Sequence, residues 1–233
     1  MGPFSNRNLI TPTKKELPAI LLCWLAFLLS PYLLAVLPRF QSMESIEDLF
    51  LYNIAVDGIC FILILLCFKN FLFRSLMPGK VFLISCFWAF LASYGINSLL
   101  SYFLALIQFF LPEAPENMNQ NTVESMMQVK RLPMLFMVSV LAPVIEEILF
   151  RAAIFGPLCK KRPFLAYVVT MCAFSFIHVY SYIGEISLLS ALFSFAQYLP
   201  AGLALCWCYQ YYGSIWVPIV VHGLMNLVAS MAL

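Results

Sequence analysis

Six polar residues in the second half of this chain have types and spacings that could do chemistry. Glu146 and Glu147 are adjacent, Arg151 follows four residues after Glu147, and His178, His222 and Asn226 come further on, all set in apolar stretches. An ionisable group at bilayer depth costs roughly 2.5–3.5 kcal/mol on insertion scales, so it is seldom kept without a function. On a helix, Glu147 and Arg151 share a face and can pair, and neither is tolerated alone in lipid-like surroundings. Glu146 points about 100° away around the same helix. One carboxylate is thus structurally committed, and the other is free for chemistry. His222 and Asn226 also share a face, and Gly223 beside them permits close helix approach. Pro143 loosens the turn before the glutamates and opens its backbone to water or substrate.

The elements that must hold these residues are membrane helices. Hydrophobic residues make up 63% of the 233 residues and charged residues 10%; mean hydropathy is +0.93. A soluble domain could not cover such a composition with a polar surface. A crossing takes about 20 apolar residues, which predicts seven spans: 17–37, 51–68, 81–111, 132–158, 164–181, 187–208 and 214–232. An eighth arises if the third or fourth divides. The fold class is therefore all-α, a polytopic transmembrane bundle.

Depth along the spans tests whether the polar residues can meet. At about 1.5 Å per residue, Glu146 lies about 18 Å from Leu158 and His178 about 21 Å from Phe164. By the same rise, His222 lies about 12 Å and Asn226 about 18 Å from Ser214. Adjacent spans run in opposite directions, yet all four residues fall in one slab near mid-membrane. One site shared by three helices follows.

Loop charges set the orientation. Arg7, Lys14 and Lys15, then Lys69, Arg74 and Lys80, then Lys160, Lys161 and Arg162 fall on one side. Glu44, Glu47, Asp48, Glu113, Glu116, Glu124 and Glu185 fall on the other, with only Arg39, Lys130 and Arg131 as bases. Basic loops stay inside, so the protein is expected to be an integral, multi-pass membrane protein with a cytoplasmic N-terminus. The first span is too long, and too poor in small residues near its end, for a cleavable signal. Eight cysteines, all in or beside spans, read as small apolar packing residues. The longest connection, Pro112–Arg131, reads as a mobile lid or solvated crossing. Residues 1–130 form N-terminal spans plus that loop, and 131–233 form the helical core that carries the site.

E-E-x-x-x-R, F-x-x-x-H and H-x-x-x-N, in this order on late membrane helices, resemble the CPBP family. That family comprises the CAAX-processing endopeptidases and bacteriocin-processing or Abi-type proteins. The motifs are complete here: Glu146-Glu147 with Arg151, Phe174 with His178, and His222 with Asn226. The resemblance covers roughly residues 130–230. It implies an intramembrane protease that hydrolyses a peptide bond in a hydrophobic, lipidated or leader peptide at membrane lipid. In those roles Glu146 suits a general base towards water. His178 shares the proton or orients the water, and His222 and Asn226 donate to the oxyanion. Two histidines and a glutamate (His178, His222, Glu146) can also hold Zn²⁺ with an open position. H-E-x-x-H is absent, however, and a metal-free glutamate mechanism is favoured.

Two other functions are weighed. One is a non-catalytic membrane regulator or bacteriocin-immunity protein that binds a peptide or a sensor. The other is a proton-coupled transporter, disfavoured because no inverted repeat or pair of broken helices is evident. Nucleic acid is not expected as a partner, because net charge is only +2 and the basic residues follow topology. Asp57 in span two is assigned to the membrane interface, and Asn97 in span three to an interhelical hydrogen bond.

Overall fold

The computed structural model describes residues 9–38, 45–111 and 117–231. Arg7, Arg39, Glu44, Glu113 and Glu116 of the charge pattern lie outside the described residues. Among those described, eight α-helices run in order: α1 (Leu17–Ala35), α2 (Ile46–Arg74), α3 (Gly79–Phe109), α4 (Met118–Val129), α5 (Arg131–Cys159), α6 (Pro163–Ile177), α7 (Leu188–Tyr212) and α8 (Trp216–Met231). The protein is an all-α integral membrane bundle.

Among the described residues, four helices (α2, α3, α5 and α7) are long and apolar enough to cross a membrane. Helices α6 and α8 are apolar but have only 15 and 16 residues, short of a full crossing. The fifth span, expected to run to residue 181, ends at Ile177. His178 caps it, and a 3₁₀ turn at Tyr180–Tyr182 and Gly184, with φ of 99°, turn the chain away. The longest connection is not a loop from Asn117 onward. Asn117 caps α4 by accepting from the Gln120 N–H at 3.1 Å, the satisfaction an exposed helix start requires.

Helix α5 is central. Half of its most apolar stretch is buried in protein, against 6% for α3. The core packs Ile64, Phe68 and Phe71 of α2 against Ile148, Phe150 and Phe155 of α5, with Phe174 of α6 and Tyr209 of α7. Helix α3 instead turns Leu83, Phe87, Trp88, Leu99 and Phe103 outward, the surface a lipid-facing helix needs. None of the eight cysteines is in a disulfide, and six are buried.

One end of the bundle gathers the N-terminal segment and the basic turns. The Tyr209 hydroxyl donates to the Ile10 carbonyl, Lys160 Nζ donates to Thr11 Oγ1 at 2.7 Å, and Arg74 Nη2 meets Glu16 Oε2 at 2.9 Å. At the other end Lys130 lies 3.4 Å from Glu47. Burial alone would raise the Glu16 carboxyl. The Arg74 ion pair and the Thr13 backbone and hydroxyl donors outweigh that and hold it below the usual glutamate range. A carboxylate depressed on folding stabilises the folded state above its unfolded value, and that contribution is lost as pH falls through the folded value. Limited proteolysis is therefore expected to reach the N-terminal segment as the medium is acidified below the ordinary glutamate range. Glu16→Gln should remove that dependence.

Candidate active site

Helix α5 departs from α geometry at two places, Met137–Leu141 and Glu147–Phe155, where it winds as a π-helix. Such turns are rare and frequent at functional sites. The first has a local cause. The Ala142 N–H donates to the Met137 carbonyl, five residues back. In that register the Val138 carbonyl should receive from residue 143, which is proline and has no N–H. Asn226 of α8 supplies the missing donor, its Nδ2 2.8 Å from the Val138 oxygen. Gly223, one turn earlier on α8, lies against the next carbonyl, that of Ser139, and a Cβ built there would overlap the oxygen. Gly223→Ala must therefore push α8 from α5. A destabilisation of ~1–3 kcal/mol, typical of overpacking, is expected in detergent unfolding, together with loss of activity through displaced His222.

That close approach delivers His222 to the glutamates. Glu147 Oε1 accepts from Arg151 Nη1 at 2.9 Å and from His222 Nδ1 at 2.9 Å. The Glu147 and Arg151 side chains are both fully buried. Arg151 also reaches the Gly202 carbonyl through Nη2 at 3.4 Å, and its Cζ lies 4.4 Å over the Phe174 ring, a favourable cation–π contact when desolvated. A carboxylate paired with arginine is an acceptor, so Nδ1 of His222 carries the hydrogen. The far edge of the same ring places Nε2 3.8 Å from Glu146 Oε2. That oxygen accepts no hydrogen bond among the described residues. The Glu146 side chain keeps 15% of its exposure and Glu147 none. Glu147 is thus fully buried and held by two partners, whereas Glu146 is partly exposed, with its Oε2 buried and without a hydrogen bond.

His178 lies at the end of α6 and not inside a span. Its Nδ1 is 2.8 Å from the Phe174 carbonyl oxygen, which only accepts, so Nε2 bears the lone pair. Its ring stacks on Tyr198 of α7, centroids 4.2 Å apart and planes 22° from parallel. The field of Glu146 reaches it. Phe174, carried in the motif without a role, touches Arg151, His178 and His222, so it is the apolar floor of the site. Tyr198 went unread in the sequence, although Gln197-Tyr198 before Pro200 in an apolar helix was the signal. Asp57 lies on the neighbouring helix α2. It sits mid-way along α2, on the face that carries Phe50, Ile54 and Phe61 towards Met126, Met134 and Leu141, and Glu146 acts on it electrostatically. Asn226 spends one amide hydrogen on Val138 and keeps its second.

For a metal, the donor types are apt, since each histidine has Nδ1 anchored on an oxygen and Nε2 free, as ligating histidines commonly do. As placed, however, no three His, Cys, Asp or Glu among the described residues form a group that could hold an ion.

The family described as type II CAAX prenyl endopeptidase Rce1-like matches residues 128–228, which contain all six residues. A Bacillus subtilis (strain 168) protein named "Putative membrane peptidase YdiL" is 29% identical over 110 residues, 46% of this chain and 41% of that protein. The match thus spans about two fifths of the length of that relative. No solved structure matches the chain significantly. The complete motifs and the matched segment, 128–228, thus agree in a likeness to the CAAX-processing, Rce1-like membrane endopeptidases.

Proposed function

We propose that this protein is an intramembrane endopeptidase acting on a membrane-associated peptide, whether hydrophobic, lipidated or a leader sequence. One observation carries the reading: beside the fixed Glu147–Arg151–His222 array, the buried Oε2 of Glu146 has no hydrogen bond and lies 3.8 Å from His222 Nε2. Glu146 Oε2 is buried, so the attacking water enters as the site opens to the peptide and then bridges the two atoms. Glu146 takes a proton from this water, and the hydroxide attacks the peptide carbonyl carbon. The oxyanion is met by the second amide hydrogen of Asn226, and by His222 Nε2 when that atom is protonated. The C–N bond then breaks, and the amine leaves with the proton Glu146 had taken. His178, through the lone pair of Nε2, orients the water.

The step is written on protein groups alone, because the donors as placed do not assemble a metal-holding set. Elemental analysis of active protein is expected to find no stoichiometric metal. One equivalent of zinc, lost with activity in His178→Ala, would reverse this. By the positive-inside rule we assign the end bearing Lys14, Arg74 and Lys160 to the cytoplasm. Residues 131–233 then act as the catalytic core and residues 1–130 shape access to it.

The test is hydrolysis in H₂¹⁸O by protein in liposomes, with matched prenylated, unmodified apolar and leader-type peptides. One ¹⁸O in a new C-terminus is expected from at least one class. No new terminus from any class, with a tight peptide complex instead, would favour the non-catalytic regulator.

A further inference from the structure

Helix α4 and its cap make three side-chain hydrogen bonds, to α7 and to the turn beyond His178. Asn117 Nδ2 donates to Gln197 Oε1 at 2.6 Å, and Asn119 Nδ2 donates to the Tyr198 hydroxyl at 2.8 Å. The Tyr182 hydroxyl donates to Thr122 Oγ1 at 3.2 Å. On its apolar side, Met126 and Met127 pack with Phe50 of α2. The helix thus spans from α2 to α7 and to the turn just beyond His178. These bonds are few and partly buried, so the end of α4 nearest Tyr198 can loosen while Met126 and Met127 stay packed at its other end.

The residue at the centre of this latch also touches the candidate chemistry. The Tyr198 ring, whose hydroxyl Asn119 holds, stacks on His178. His178 is past the last turn of α6, where one Nδ1 hydrogen bond and the Tyr198 and Phe174 ring faces fix it. A side chain at a helix end keeps its plane only while such neighbours keep theirs.

We infer that Tyr198 is a positioning residue that couples the docking of α4 to the orientation of His178. With α4 docked, Asn119 fixes the phenol and the phenol fixes the imidazole plane. With this end of α4 loosened, the phenol and with it the imidazole plane are released, so productive alignment of His178 requires α4 to be docked. The inference rests on the peptidase reading above.

The experiment compares wild type, Tyr198→Phe, Asn119→Ala and the double variant, full-length in lipid, by hydrogen exchange of α4 amides and by steady-state hydrolysis. Tyr198→Phe retains the stacking ring and should fold normally. Both single variants are expected to raise exchange in α4 and lower kcat roughly tenfold, the scale of one hydrogen bond, with KM changing less. The double variant should be no worse than either, since both cut one link. Unchanged α4 protection, unchanged kcat, or losses that multiply in the double variant would overturn the inference. Wild type that cuts nothing, while both single variants still expose α4, would sink the peptidase reading and uphold the latch.

Discussion

Glu146→Gln is expected to lower turnover by about 10³-fold or more while leaving the fold intact. Glutamine keeps the shape of the side chain but cannot accept a proton from water at neutral pH, and a positioned general base contributes typically 10²–10⁴-fold. The fold should survive because Glu146 Oε2 makes no hydrogen bond that the amide would break. The nearby His222 keeps its Nδ1 bond to Glu147 whatever occupies position 146. The measurement is initial rate in liposomes beside a melt in detergent: a melt matching wild type with rate abolished is the expected pair. A rate within threefold of wild type would remove Glu146 from the chemistry. Glu147→Gln should behave differently, losing stability as well as rate, because its carboxylate holds two partners at once.

Arg151→Met carries the largest expected cost in stability. The substitution leaves Glu147 charged, fully buried and short of its main counter-ion, and breaking a buried pair from one side typically costs about 3–5 kcal/mol. It also empties the place over Phe174 and leaves the Gly202 carbonyl without this donor. Removing both charges together, Glu147→Gln with Arg151→Met, should recover much of the loss, because apolar replacement of an entire buried pair is often close to neutral. The double variant would still be inactive, since His222 would lose its charged anchor. A double-mutant cycle read by reversible unfolding in micelles checks this. Single and double losses that simply add would mean that the pair is not coupled.

Spacing alone revealed the part of the site that lies on one helix. Glu147 and Arg151 are four residues apart, and i,i+4 geometry fixes their meeting before any tertiary structure exists. The bridge from His222 to both glutamates was not legible, because it depends on the register of α8 against α5. That register is set where Gly223 meets Ser139 and Asn226 meets Val138. Pro143 was visible, but that it pushes the helix into a π turn, and so recruits Asn226 as a backbone donor, is a tertiary outcome. His178 was read as buried in a span, whereas α6 ends at it; apolar composition continues past Ile177 and hides the turn. Helix α4 was hidden by its polar face of Asn and Gln, which resembles a loop until its partners Gln197, Tyr198 and Tyr182 are in view.

Terminal peptidomics tests the peptidase reading most directly. Cells lacking the protein would be rescued with wild type or with Glu146→Gln at matched membrane abundance, and new peptide termini quantified. Termini that appear with wild type and vanish with Glu146→Gln are the predicted result, and they would identify the substrate. Indistinguishable termini in the two strains, with the phenotype restored in both, would contradict it and make the Glu–Arg–His array a structural device.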